Sequence, residues 1–284
     1  MKKYSLLYFF VLTFAITWAM WFPAAMIKLN EDGTPIFGPA SPIGQLGRWA
    51  PGIAAITLTA ILAGKLGIGD LFRPLKIWRV NVGWYLFVLF FQPVLFFVSK
   101  WIDFLLLGKT YEVVSPLSTL DIDAPFVFVA ISVIISAVPG AFMEELGWRG
   151  FALPRLQGRN NALVASIILG LIWGIWHIPS ILYLEGTDVM NIVWAVVNTV
   201  SVTILFTWIY NNTQGSLLLV TLFHASIQYS ENFLGVIPTQ TAYILKWLAA
   251  ILVLVIVGVE NLSKSAKRIV ERGVMTEIHT ETRK

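Results

Sequence analysis

Pro125–Phe151 reads PFVFVAISVIISAVPGAFMEELGWRGF, and no residue from Pro125 to Met143 carries a charge. A hydrocarbon core about 30 Å thick is crossed by roughly 20 apolar helical residues, so the stretch predicts a membrane-spanning helix. Its last turns break that pattern with Glu144, Glu145 and Arg149. Each such group costs about 2.5–3.5 kcal/mol at the centre of a lipid-exposed helix, so the three require a polar interior and mark a candidate site. Glu145 and Arg149 are four apart and share a helix face, whereas Glu144 is rotated about 100° from Glu145. One carboxylate can be neutralised while the other stays free. Pro139-Gly140, just before the pair, predicts a bend that opens a cavity at Glu144.

The rest of the chain carries the same membrane signal. Of its 284 residues, 57% are hydrophobic and only 13% charged, more apolar surface than a soluble domain of this length buries. The expected fold is an all-α, polytopic transmembrane helix bundle of about eight membrane-spanning helices. They run over Tyr4–Ile27, Pro51–Ile68, Gly83–Leu107, Pro125–Phe151, Asn161–Leu184, Met190–Tyr210, Ser216–Val236 and Thr241–Glu260. No repeat, low-complexity tract or linker interrupts them, so 1–260 is read as a single transmembrane helical domain and 261–284 as a solvated basic tail. Met1-Lys2-Lys3 before the first run mimics a signal peptide, but the run is too long for one and predicts an uncleaved first helix. Lysine and arginine concentrate on one side of the bundle, with Lys28, Arg48 and Lys109 opposite, which places both termini in the cytoplasm. Orientation thus accounts for the net charge of +4, and nucleic acid is not an expected partner. Arg48–Pro51 and Leu71–Asn81 are read as interfacial turns without chemistry, and most of the 12 tryptophans as interface anchors or lipid-facing packing. The absence of cysteine leaves carboxylate, imidazole and hydroxyl chemistry.

Three histidines occur, and His279, in the polar tail, is incidental. His177 ends the motif-bearing stretch Asn161–Pro179 (NALVASIILGLIWGIWHIP), with Trp173 one turn earlier on the same face. Gly170 and Gly174 form a small-residue stripe that lets a neighbouring helix approach closely. His224 lies in Phe223–Asn232 (FHASIQYSEN), where Gln228 and then Glu231 or Asn232 continue a polar stripe. A lone imidazole in an apolar helix is commonly a hydrogen-bonded packing residue. Two of them together with an acidic pair point to catalysis.

Glu144-Glu145-x-x-x-Arg149, the aromatic ahead of His177, and His224 followed by a polar residue at Gln228 resemble the motifs of the CPBP intramembrane proteases. This is the CAAX prenyl protease 2 or Rce1-like family, with the Abi family in bacteria. The likeness covers roughly Phe126–Asn232, and puts a protease core at about 126–236. It departs at Trp173, where the family has Phe, and at Gln228, where it has Asn or Asp; Asn232, one turn on, is the alternative to Gln228.

The resemblance implies an intramembrane endopeptidase that hydrolyses a peptide bond near a membrane through Glu/His-activated water. Glu144 would be the general base, His177 would hold the attacking water, and His224 with Gln228 would face the oxyanion. Glu145, Arg149, Trp173 and Asn232 would support them. The implied partners are the lipid bilayer and a peptide or membrane-protein substrate, lipidated or not, and the implied location is a bacterial or archaeal cell membrane. The family's metalloprotease label implies a divalent metal, zinc first, held by His177, His224 and Glu144. A glutamate-activated water without metal fits the same residues, and no H-E-x-x-H helix is present.

Two rival readings stand beside the peptidase. A catalytically inactive immunity or scaffold protein of the same fold is supported by Gln228. A proton-coupled transporter would use Glu and His as a relay, but no second copy of the Pro139–Arg149 pattern occurs. Helix rise sets a constraint on the peptidase. With the fourth helix ending near Leu153, Glu144 lies about 13 Å from that end, while His177 lies about 24 Å along a helix beginning at Asn161. They meet only if the fifth helix tilts or the turn at 155–160 projects from the membrane.

Overall fold

The computed structural model describes residues 4–30, 41, 44–110, 138–185, 188–233, 240–264 and 269–270, and all regular structure among them is helical. Side chains 27–30, 184–185, 229 and 231–233 lie outside that description. In chain order the helices are α1 (Ser5–Asn30), α2 (Gly44–Phe72) and α3 (Val82–Leu107). Then comes α4, described from 138 to 157, and α5 (Ala162–Trp176), α6 (Ile178–Glu185), α7 (Val189–Asn212), α8 (Leu217–Phe233) and α9 (Gln240–Val257).

Local chemistry sets the ends. Asn81, Asn161 and Asp188 side chains accept from the otherwise unpaired N–H groups that open α3, α5 and α7. Gly108 closes α3 in the left-handed region at φ 63°, which glycine enters without steric cost. Five segments, Ser5–Met26, Gly44–Lys76, Val82–Leu107, Val189–Asn212 and Gln240–Val257, are long and apolar enough to cross a membrane, while Ala162–Trp176 and Leu217–Gln228 are shorter apolar helices. The chain is therefore an all-α membrane bundle. The first half of the expected fourth span, 125–137, lies outside the described residues, as do Asn232's side chain and His279.

The expected continuous span Asn161–Leu184 is instead two helices. Pro179 has no N–H to offer the Ile175 carbonyl and disfavours helical backbone in the residue before it. His177 occupies the joint: its N–H closes α5 on Trp173 O and Gly174 O at 3.3 and 3.1 Å, and its carbonyl opens α6 by accepting from Ile181 N at 3.0 Å. The fourth span differs too. After Glu145 it widens into a π-helical stretch, Leu146–Ala152, and returns to α-helix over Leu153–Gln157. Ending at Gln157 puts Glu144 roughly 20 Å from the helix end, and His177 lies about 23 Å from the start of α5 at Ala162. Carrying the fourth helix on to Gln157 therefore removes most of the mismatch in depth.

Glycine stripes draw the helices together. A Cβ on Gly170 would stand 2.7 Å from Val200 Cα on α7, and the Thr199 hydroxyl donates to Gly170 O at 2.8 Å. The small-residue stripe thus receives α7, as expected from the sequence. Gly170→Leu forces backbone apart and is expected to destabilise the bundle by about 1–3 kcal/mol or more. A thermal unfolding midpoint in detergent equal to wild type would refute this contact. Likewise a Cβ on Gly147 would lie 2.6 Å from Pro51 O, and one on Gly52 would lie 2.8 Å from Met143 O, so α2 crosses α4 backbone to backbone beside the acidic pair.

Two sequence expectations are corrected here. Trp21, Trp148, Trp173 and Trp176 are core residues, with Phe9 packed on both Trp148 and Phe151; Trp78 and Trp101 alone of the twelve are exposed. Aromatic rings of this size fill the space between splayed helices, so membrane context did not force them to the interface. The first residues of the tail are also tied down. Asn211 and Asn212 donate to Asn261 O and Leu262 O at 2.8 Å, and Gln157 donates to Ile269 O at 2.8 Å. The N–H groups of Ala162 and Leu163, which open α5, donate to Glu260 O and Val259 O at 2.8 and 3.1 Å. These bonds satisfy helix-end groups that water would otherwise have to reach.

Candidate active site

Glu144 and Glu145 are the last α-helical residues of α4 before its π stretch, and both are fully buried. The Glu145–Arg149 pairing expected from the spacing is present: Arg149 Nη1 donates to Glu145 Oε1 at 2.7 Å. The same oxygen accepts from His224 Nδ1, also at 2.7 Å. Because a carboxylate oxygen only accepts, this bond assigns the Nδ1 proton of His224 and turns its Nε2 the other way. That Nε2 stands 3.8 Å from Glu144 Oε2.

Arg149 is held by more than its charge. Its guanidinium carbon lies 3.7 Å from the Phe206 ring centroid and 4.7 Å from that of Trp173. Planar guanidinium stacks on π faces, which compensates part of the lost hydration. Glu145 Oε2 and Arg149 Nε and Nη2 have no hydrogen-bond partner among the described residues. Buried polar atoms of this kind are where enclosed water is expected.

Glu144 is not the free carboxylate that helical rotation predicted. Trp173 Nε1 donates to its Oε2 at 3.2 Å, and Arg48 Nε on α2 donates to its Oε1 at 3.2 Å. The sequence places Arg48 in an interfacial turn on the far side, where it bears only on topology. It lies ahead of the apolar run that begins at Pro51, yet inside the same helix, Gly44–Phe72. The rule that flagged Glu144, that an intramembrane charge needs a partner, applied equally to a lone arginine between Gly47 and Trp49.

His177 is half-buried. Its Nδ1 donates to Trp173 O at 2.9 Å, and since a carbonyl only accepts, its Nε2 carries the lone pair. The Trp173 ring packs edge-on against both imidazoles, with centroids 5.4 Å from His177 and 5.5 Å from His224. Helices α2, α4, α5 and α8 thus bring Arg48, the acidic pair, Trp173 with His177, and His224 together. Gln228 is buried one turn beyond His224 on α8.

The arrangement does not fit the expected zinc set. Among the described residues no three His, Cys, Asp or Glu side chains stand together as metal ligands, and both oxygens of Glu144 face nitrogen donors, one of them cationic. A metal needs deprotonated, convergent donors with open lone pairs.

Residues 125–230 match the family model described as Type II CAAX prenyl endopeptidase Rce1-like. The chain is also 25% identical over 245 residues to a protein of Methanococcus maripaludis named CAAX prenyl protease 2, covering 82% of this chain and 86% of that one. The likeness read from the motifs is therefore present in both comparisons, and the second covers more of the chain than the family model does.

Proposed function

We propose, proceeding from this likeness to the type II CAAX prenyl endopeptidases, that the chain is an intramembrane endopeptidase acting on C-terminal, membrane-proximal peptides. Prenylated peptides are the substrate class that the relatives' names suggest. The observation that carries the reading is a buried carboxylate, Glu144, across 3.8 Å from an imidazole nitrogen whose far side is fixed by a second carboxylate.

Peptide hydrolysis needs an activated water and a donor for the developing oxyanion. The lone pair on His177 Nε2 accepts one hydrogen of the water and holds it. Glu144 takes the other proton as the water oxygen bonds to the carbonyl carbon. The oxyanion then faces His224 acting as an imidazolium, with Nδ1–H donating to Glu145 and Nε2–H donating to the oxyanion, and with the Gln228 amide beside it. Collapse breaks the C–N bond, and the leaving amine takes the proton from Glu144. Glu145, held by Arg149, acts behind His224, fixing its ring and pairing with its positive charge. No step is routed through a metal, because among the described residues no three such donors stand together.

The test is purified protein in detergent with a quenched peptide library and prenylated C-terminal peptides. Cleavage by wild type, abolished in His224→Ala and unchanged by a strong chelator, is the expected result. Loss of activity on chelation with recovery on adding zinc would overturn the metal-free scheme. A second reading, a catalytically silent membrane protein of the same architecture, is favoured by Gln228 alone. It predicts no cleavage of any library member.

A further inference from the structure

We propose that Arg48, outside the span matched by the family model, is a positioning residue of the hydrolytic site, holding the Glu144 carboxylate so that its Oε2 edge faces His224. The inference rests on the peptidase reading above and adds a residue to it.

Two donors approach opposite oxygens of Glu144: Arg48 Nε on Oε1 and Trp173 Nε1 on Oε2, each at 3.2 Å. Together they fix the carboxylate plane, which neither could do alone. A base whose reacting oxygen is misoriented by even a small rotation loses its alignment with the attacking water. The guanidinium also sets a positive charge against a carboxylate that is 0% exposed, offsetting the cost of burying it.

The place for Arg48 is built rather than incidental. A Cβ on Gly140 would stand 2.9 Å from Arg48 Cδ, so the absence of a side chain there makes the channel through which Arg48 reaches α4. The α2 backbone is brought close by Pro51 against Gly147 and by Gly52 against Met143. From the other side α1 sets the register. The buried Thr17 hydroxyl donates to Gly47 O at 2.6 Å and accepts from Trp176 Nε1 at 2.8 Å. Trp21 Nε1 donates to Gly44 O at 2.8 Å, and Trp18 Nε1 to Trp176 O at 3.2 Å. One hydroxyl thus joins the residue before Arg48 to the residue before His177. Helices α1 and α2 are part of the reacting unit as well as of the membrane anchor.

The experiment measures kcat and KM for peptide cleavage by wild type, Arg48→Lys, Arg48→Ala and Thr17→Val, with unfolding midpoints in the same detergent. Arg48→Ala is expected to lower kcat by about 10–100-fold, the range for residues that orient a reacting group, with KM nearly unchanged. The Arg48 side chain is 27% exposed, so added ethylguanidine has a path to the vacated space and is expected to restore part of kcat. Lysine restores less, because a point charge lacks the planar fork that fixes the carboxylate. Thr17→Val, nearly equal in volume, lowers kcat in the same direction. Wild-type cleavage with an unaltered kcat in Arg48→Ala overturns this inference alone. Loss of kcat that tracks a lowered unfolding midpoint and resists ethylguanidine overturns it in favour of a structural role. A wild type that cleaves no peptide removes the peptidase reading and this inference with it.

Discussion

Glu144→Gln is expected to reduce peptide turnover by about 10²–10⁴-fold, the contribution typical of a positioned general base. The amide keeps the shape of the side chain but has no basic oxygen to take the proton from water. Its effect on stability is smaller. Whichever way the amide turns, its NH₂ opposes one of two donors, Arg48 Nε or Trp173 Nε1, so one hydrogen bond is lost at about 1–3 kcal/mol. The measurement is kcat beside a thermal midpoint. Turnover at wild-type level in Glu144→Gln would show that another group activates the water.

Arg149→Met is expected to produce the largest loss of stability, about 3–5 kcal/mol, because it leaves a buried carboxylate with its cation removed. Glu145 would retain only His224 on its Oε1, and the methionine would keep the contacts to Phe206 and Trp173 without the charge that stacks on them. The double variant Glu145→Gln, Arg149→Met removes both charges and is expected to recover most of that loss. Arg149→Lys is also destabilising, since an ammonium neither stacks as a plane nor reaches Glu145 with the same geometry. Unfolding midpoints for the four proteins decide the matter: if the double variant is as unstable as the single one, the pair contributes through packing alone.

Several parts of this site were legible from the residues. Glu145 and Arg149 are four apart on a helix, so helical geometry by itself dictates their contact, and the structure has it at 2.7 Å. Gly170 and Gly174 announced close approach, and α7 fills it. The motifs around Glu144, His177 and His224 carried the family likeness that both comparisons contain. Other parts were not. The π stretch after Glu145 has no signature in hydropathy, because apolar residues suit either winding. The break at His177 had its cause in plain view at Pro179, but an unbroken apolar run concealed it.

Local order in the chain, meaning apolar length, charge in the wrong place and side chains one helical turn apart, was enough to determine a helical membrane bundle with a polar centre. Those properties depend only on neighbours within a few residues and on the solvent around them. Which groups face Glu144 was decided by tertiary structure alone. Arg48 lies 96 residues away in sequence and His224 79 residues from Glu145, and such pairings depend on how helices cross. Crossing is set by glycine contacts and buried hydroxyls on other helices, and no local pattern encodes where those partners will lie.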